Sequence, residues 1–240
     1  MYLPPHFEEH RAPVLHALVE THPLGLLVTQ SDAGLAANPI PWLLDVEADG
    51  RAVLRGHVAR ANPVWREARG DVDSLVVFQG PQAYVSPSLY PSKAEHGKVV
   101  PTWNYIMVQA RGRLEVMDDA AWKLAFVTRL TQRHESQRAA PWAVGDAPAD
   151  YIESMLRAIV GVQLRLSALG GKWKTSQNRS AADRAGVAAG LLADAQQSAV
   201  VRFADAQQRA VVLLADAQQS AIVLHADAQQ RGVGLPVPEV

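Results

Sequence analysis

From Thr102 to Val116, β-forming residues run almost without interruption, and Gly112 is the only breaker. A chain carrying such a run has to build a sheet around one long strand, bent or bulged at that glycine. The first part of the run, Thr102-Trp103-Asn104-Tyr105, sets a hydroxyl, an indole N–H, a carboxamide and a phenol in consecutive positions. Side chains alternate along a strand, so Thr102 and Asn104 share one face while Trp103 and Tyr105 share the other. One face can donate and accept hydrogen bonds, and the other can stack. That combination suits a planar heteroaromatic ligand with polar edges. A half-buried strand with satisfied polar groups has the same signature, and the stretch taken alone favours it.

The residues before this strand read as one helix and then a β-meander. Between Glu8 and His22, Val14, Leu15, Leu18 and Val19 recur at helical spacing, and Pro23 stops the pattern. Leu24 to Thr29 is a strand that ends in the turn Ser31-Asp32-Ala33-Gly34. Leu35 to Asp45 is its partner, and Pro39 and Pro41 place that partner at an edge or a bulge. Asp49-Gly50 is a tight turn that leads into a strand over Ala52 to Val58. Asn62 and Pro63 then predict an N-cap and the first position of a short helix to Arg69. This junction carries His57, Arg60 and Asn62 beside free helix N–H groups, which is a place that can hold an anion. A surface arginine and a plain cap explain the junction equally, and better in the absence of other signals.

Asp73 to Gln79 reads as a buried strand ended by Gly80-Pro81, with a second short strand over Ala83 to Ser86 and a loop from Pro87 to His96. After the long strand, Asp118-Asp119 open a helix whose apolar positions are Trp122, Leu124, Phe126, Val127 and Leu130. A further helix spans Ala149 to Ile159. Val162 to Leu166 alternates as a strand, which Gly170-Gly171 breaks. Lys172-Trp173-Lys174-Thr175-Ser176-Gln177-Asn178-Arg179 is basic, aromatic and amide-rich. Ser180 caps a helix carrying Asp183 in its first turn. The fold class is mainly β with helices, α+β.

The C-terminal stretch is a different kind of sequence. Ala-Asp-Ala-Gln-Gln starts at Ala193, Ala204, Ala215 and Ala226, an interval of 11 each time (204−193, 215−204, 226−215). Eleven residues are about three helical turns, so Leu192, Phe203 and Leu214 line up with little drift. A helix in a right-handed bundle is one reading; a tandem duplication without function is the other, favoured because the fourth copy decays into His225, Gly232 and Gly234. The expected division is a domain over residues 1–190, a helical repeat extension over 191–231 and a flexible tail over 232–240.

Composition narrows the chemistry. The chain has 240 residues, no cysteine and a formal net charge of −1. Thiolate metal sites, disulfides and cysteine nucleophiles are therefore excluded, and bulk charge gives no support for nucleic-acid binding. No signal peptide is read at Met1 to Phe7, and no apolar run approaches the roughly 20 residues of a membrane span, so the expected location is cytoplasmic. The eight histidines are scattered without the spacing of a zinc motif, and no metal is expected. There is no Gly-x-Gly-x-x-Gly, P-loop or Gly-x-Ser-x-Gly. Three polar-aromatic clusters remain: His57 to Asn62, Thr102 to Tyr105, and Lys172 to Asn178. The first and third carry cations, and the second carries stacking groups and amides. A flat ligand with a phosphate would use all three.

Met1-Tyr2-x-Pro4-x-His6-Phe7, Gly56-His57-x-Ala59-Arg60-Ala61-Asn62-Pro63-x-Trp65, Phe78-Gln79-Gly80-Pro81, Val100-Pro101-Thr102-Trp103-Asn104-Tyr105 and Gly171-Lys172-Trp173-Lys174-x-Ser176-Gln177-Asn178 occur in this order. Together they resemble the PaiB family, the FMN-binding negative transcriptional regulators, over roughly residues 1–190. The resemblance implies a split β-barrel with flanking helices, related to the pyridoxamine phosphate oxidase flavoproteins and usually a homodimer with FMN at the subunit interface. By position it implies that Arg60 and Asn62 approach the FMN phosphate with His57 nearby, and that Thr102, Trp103 and Asn104 lie along the ring. It also implies that Lys172, Trp173, Lys174 and Gln177 reach in from the other subunit. One departure stands out. Where the family pattern is Ala-Thr-His-x-Pro, this chain has Ala37-Asn38-Pro39-Ile40-Pro41. If that strand lines the pocket, flavin affinity or chemistry changes here.

The resemblance implies a regulator that lowers transcription, acting on DNA directly or indirectly. No clear recognition helix is evident. A flavin-dependent oxidoreductase using NAD(P)H on a small substrate is the alternative, with His57 the only acid–base candidate and the catalytic residues otherwise unknown. A module holding haem or another ligand on the same barrel is the third reading.

Overall fold

The computed structural model describes residues 1–203, with side chains described through residue 195. Among the described residues, eight strands form an antiparallel sheet: β1 (Glu8–Glu9), β2 (Leu24–Ser31), β3 (Gly34–Pro41), β4 (Leu43–Val46), β5 (Ala52–Ala59), β6 (Ser74–Val85), β7 (Thr102–Met117) and β8 (Ile159–Lys174). Their order is β3-β2-β6-β7-β8-β5-β4, and β1 pairs with β8. Six helices accompany them: α1 (Ala12–Thr21), α2 (Val64–Glu67), α3 (Ser92–His96), α4 (Ala120–Glu135), α5 (Ala149–Arg157) and α6 (Ala181–Phe203). Contacts divide the chain into two compact units. Unit 1 holds residues 1–17, 79–108 and the described residues from 170; unit 2 holds residues 18–78 and 109–169.

The long strand is present over Thr102–Met117 with its faces as the alternation requires. Asn104, Ile106, Val108, Ala110 and Gly112 are buried, and the residues between them are more exposed. The alternation continues through Gly112 without a slip of phase. The glycine answers a different need. A Cβ at Gly112 would lie 2.0 Å from the Arg165 carbonyl oxygen, so β7 and β8 approach too closely for any side chain.

Several breaks expected from glycine and proline are passed over by continuous strands. β8 runs through Gly170-Gly171 to Lys174. At Gly171 a Cβ would sit 2.3 Å from the Trp173 ring and 2.5 Å from Leu15, so this glycine makes room for packing. β6 runs through Gly80-Pro81. Both of those residues are buried in succession, and the inward face shifts by one residue there. A local bulge accommodates the proline, which cannot donate to the ladder. Pro39 and Pro41 lie in β3, the terminal strand of the sheet order, as the edge expectation requires. That strand ends at Pro41, and Leu43–Val46 is a separate strand pairing with β5.

The first helix starts at Ala12 rather than Glu8, because Glu8 and Glu9 add a strand to Lys172 and Gly171. Glu9 is buried, and its carboxylate accepts from the Arg11 backbone and guanidinium. α2 is confined to Val64–Glu67, α5 stops at Arg157, and the expected loop at residues 87–96 contains α3. In unit 1, Ala83, Val85 and Tyr90 pack against Val187 and Leu191 of α6. In unit 2, Leu27, Trp42, Leu54, Val76 and Phe78 are fully buried. Residues 204–231 of the expected repeat extension and the whole of the expected tail over 232–240 lie outside the described residues.

The Gly112 crossing gives a direct test. Gly112→Ala is expected to lower stability by about 2–3 kcal/mol, read as a lower urea midpoint. An unchanged midpoint would contradict the close approach.

Candidate functional site

In unit 1 the end of β7 meets the end of β8. Asn104 is 2% exposed. Its amide donates to Ser176 Oγ at 3.1 Å, and the Ser176 hydroxyl returns a bond to Asn104 Oδ1 at 3.2 Å. One position along, the Lys174 ammonium donates to Thr102 Oγ1 at 2.6 Å and to the Trp103 carbonyl. The Trp103 ring itself is 53% exposed and lies edge-on to Tyr84, with ring centres 5.9 Å apart. Tyr84 is equally open to water, at 51%.

Lys172 is buried by aromatic rings. Its ammonium lies 5.4 Å from the Tyr2 ring and 5.5 Å from the Tyr105 ring, and it donates to the Tyr2 carbonyl at 3.0 Å. Trp173 is buried on the opposite side of the strand and fixes its end. Gln177 acts on the backbone: its Oε1 accepts from Thr175 N at 2.7 Å, and its Nε2 donates to the Trp173 carbonyl. Burial pushes the Lys174 ammonium below its ordinary pKa, and the neighbouring charges of Lys172 and Arg179 push the same way. Within this single chain, then, seven expected residues converge: Thr102, Trp103, Asn104, Lys172, Trp173, Lys174 and Gln177.

The other three sit together in unit 2 and are already partnered. Arg60 donates to the Arg157 carbonyl at 2.6 Å, to both oxygens of Asp118 at 2.9 and 2.5 Å, and to the Ile159 carbonyl at 3.0 Å. Four of its five N–H groups are therefore engaged by the chain itself. Asp118 also accepts from the buried Lys123 at 2.8 Å, and the two cations, Arg60 foremost, hold its carboxyl well below the usual range. Asn62 caps α2 by accepting from Val64 N at 3.0 Å, and its amide donates to Asn38 at 2.9 Å. The residue that departs from the family pattern thus has a defined partner. His57 packs edge-on to Phe126, with ring centres 5.6 Å apart. Its Nδ1 is buried with no hydrogen-bond partner, and burial pushes its pKa down.

Sequence reasoning left out Tyr84, Arg179 and Asp118. Tyr84 is visible only once β6 and β7 are known to bring it to Trp103. Arg179 lies in the basic segment, but its direction depends on the turn before it. Asp118 read as a helix-opening acid, and its two cationic partners come from distant positions.

A family profile described as "Putative FMN-binding domain" matches residues 1–168. The chain belongs to this FMN-binding domain family. It is 31% identical over 185 residues to the Bacillus subtilis protease synthase and sporulation protein PAI 2, covering 76% of this chain and 85% of that one. It is also 34% identical over 238 residues to an uncharacterised protein of Aspergillus fumigatus, covering 79% and 90%. Among solved structures, the FAD- and haem-binding protein from Mycobacterium smegmatis is similar, with a TM-score of 0.51, 18% identity, and coverage of 70% and 73%. That likeness shows a shared fold, the split barrel of flavin-binding proteins, so the α+β expectation holds.

Membership in the FMN-binding domain family makes a flavin the cofactor. The unit 1 residues fit such a group. Two open aromatic rings offer stacking, Thr102 offers a hydroxyl, and Lys174 stands among like charges that an anion would relieve. The unit 2 cluster offers one unengaged arginine N–H and a half-buried imidazole, and fits it less well.

His57 gives a pH dependence. Its folded pKa lies below the ordinary value of about 6.5, so the unfolded chain takes up the proton first as pH falls. Stability is then complete above about pH 6.5 and declines below it until the folded pKa is passed. His22, also lowered by burial, acts in the same direction. The urea midpoint is expected to fall between about pH 7 and 5, and to fall less in His57→Phe; equal slopes would contradict a sealed, neutral ring.

Proposed function

We propose that this chain is an FMN-binding negative regulator of transcription. The observation that carries the flavin part is the open Tyr84–Trp103 pair beside Lys174 and Thr102. Large rings are seldom left half in water without a ligand or partner to cover them. In this reading the isoalloxazine ring lies against Trp103, with Thr102 at its edge. Asn104 contributes by holding the turn that follows β8. Arg60, Asn62 and His57 belong to the other unit and are occupied there by partners of their own. Once bound, the flavin supplies one- or two-electron redox chemistry.

The regulatory part draws on the PaiB resemblance and on the Bacillus subtilis relative, whose name ties it to protease synthesis and sporulation. A homodimer with flavin at the subunit interface belongs to the same reading, and the exposed aromatic pair suits such an interface. So does a cytoplasmic location; no described helix is long and apolar enough to cross a membrane. With a net charge of −1, repression acts through the flavin state or a partner as readily as through DNA contact. The oxidoreductase alternative needs an acid–base group. His57, its one candidate, is packed against Phe126 with Nδ1 buried; the regulator reading is preferred on the resemblance and the Bacillus subtilis relative.

FMN titration followed by indole fluorescence tests the reading. Trp103→Ala is expected to weaken FMN about tenfold, in line with the loss of one stacked ring. Unaltered affinity would move the flavin away from β7. Promoter DNA added to the FMN-loaded protein then separates direct from indirect repression through the salt dependence of any shift.

A further inference from the structure

Lys172 is a buried lysine without a carboxylate. It is 8% exposed, and among the described residues no acidic group pairs with it, Glu8 directly across the β1–β8 ladder included. Taking an ammonium out of water is unfavourable unless other groups replace the water. Here Tyr2 replaces it. The Tyr2 carbonyl accepts from the ammonium at 3.0 Å, the Tyr2 ring lies 5.4 Å away, and the Tyr105 ring lies 5.5 Å away. One acceptor leaves two of the three ammonium N–H groups unengaged.

Tyr2 itself is not a core residue. It is 83% exposed, and Lys172 is its partner in both contacts. The chain is fixed only further along, where Phe7 is buried, Phe7 N donates to the Pro4 carbonyl at 2.9 Å, and Glu8 and Glu9 join the sheet. Pro4 and Pro5 stiffen the arm between. Tyr2 is therefore a ring and a carbonyl at the end of a short arm, held by one hydrogen bond and one cation–π contact. The place it fills adjoins the candidate site. Tyr105 follows Trp103 by two residues on the same face of β7, about 7 Å along the strand, and Trp103 with Tyr84 forms the open aromatic pair. What Tyr2 presents to Lys172 is an aromatic face and a carbonyl oxygen. A flat heteroaromatic ligand with a carbonyl at its edge presents both.

We infer that Tyr2 is a displaceable self-ligand: it fills a seat formed by Lys172 and Tyr105, and a planar heteroaromatic ring bearing a carbonyl takes its place there. The inference rests on the flavin reading of the neighbouring Trp103 face and adds regulation to it, because residues 1–4 compete with the ligand for part of the site. Breaking the Tyr2 contacts subtracts from the affinity of any ring that uses the seat. A flavin and a nicotinamide both carry the required chemistry.

Lysine footprinting of the full chain tests this. Acetic anhydride acetylates accessible amines, and mass spectrometry reads the rate at Lys172 against the exposed Lys93 and Lys98. Wild type and Tyr2→Ala are compared alone, with FMN and with nicotinamide mononucleotide, and a thermal melt of each serves as the fold control. Tyr2→Ala is expected to raise Lys172 acetylation about tenfold, and FMN to restore the protection. FMN is expected to bind Tyr2→Ala roughly three- to tenfold tighter than wild type, the scale of one cation–π contact, with the gain in the association rate. Unchanged Lys172 acetylation in Tyr2→Ala would overturn the inference. So would FMN that binds Tyr2→Ala no tighter than wild type, or that binds without restoring the protection; both leave the flavin reading intact. If neither chain binds FMN, the flavin reading fails and nicotinamide mononucleotide decides: restored protection of Lys172 in Tyr2→Ala upholds the seat, and its absence overturns it.

Discussion

The paired hydrogen bonds between Asn104 and Ser176 organise the functional end of this protein. Both groups are buried, so each depends on the other for its polar partner. Removing either would leave an unsatisfied group inside the core, at a cost of about 1–3 kcal/mol. The bond ties the start of β7 to the turn after β8. That turn carries Gln177 and leads on to Arg179. Without it, the left-handed Ser176 would relax, and Lys174 would lose its fixed relation to Thr102 and Trp103.

The cationic clusters illustrate how little a basic residue type says about its role. Arg60 and Lys174 both occupy strand ends in motifs that the resemblance carries to a flavin. In the folded chain Arg60 is a structural clamp, bracing β5 against Asp118 and the β8 end through Arg157 and Ile159. Lys174 and Arg179 keep donors open, and their charges repel one another.

Much of this could be read from the residues. The alternation from Thr102 to Val116 correctly assigned faces, because one buried side enforces a period of two along a strand. Ser180 as the cap of α6 was equally legible, since capping is local; Asp119 read as a first-turn acid and instead caps α4. Glycine and proline misled at Gly80-Pro81 and Gly170-Gly171. The sequence shows that such a residue is needed, and only the neighbouring strand shows whether it ends an element or lets another pass. Asn38 stood out as a departure, but its partner Asn62 lies 24 residues away. The seal over His57 likewise comes from Phe126, in a helix no local rule connects to it.

The most direct test of this account is the visible absorbance spectrum of the purified protein, taken before and after denaturation to release whatever it carries. The purified protein is expected to be yellow, or colourless and turning yellow with added FMN, and to release FMN in proportion to chain. A chain that is colourless and takes up no FMN would contradict it.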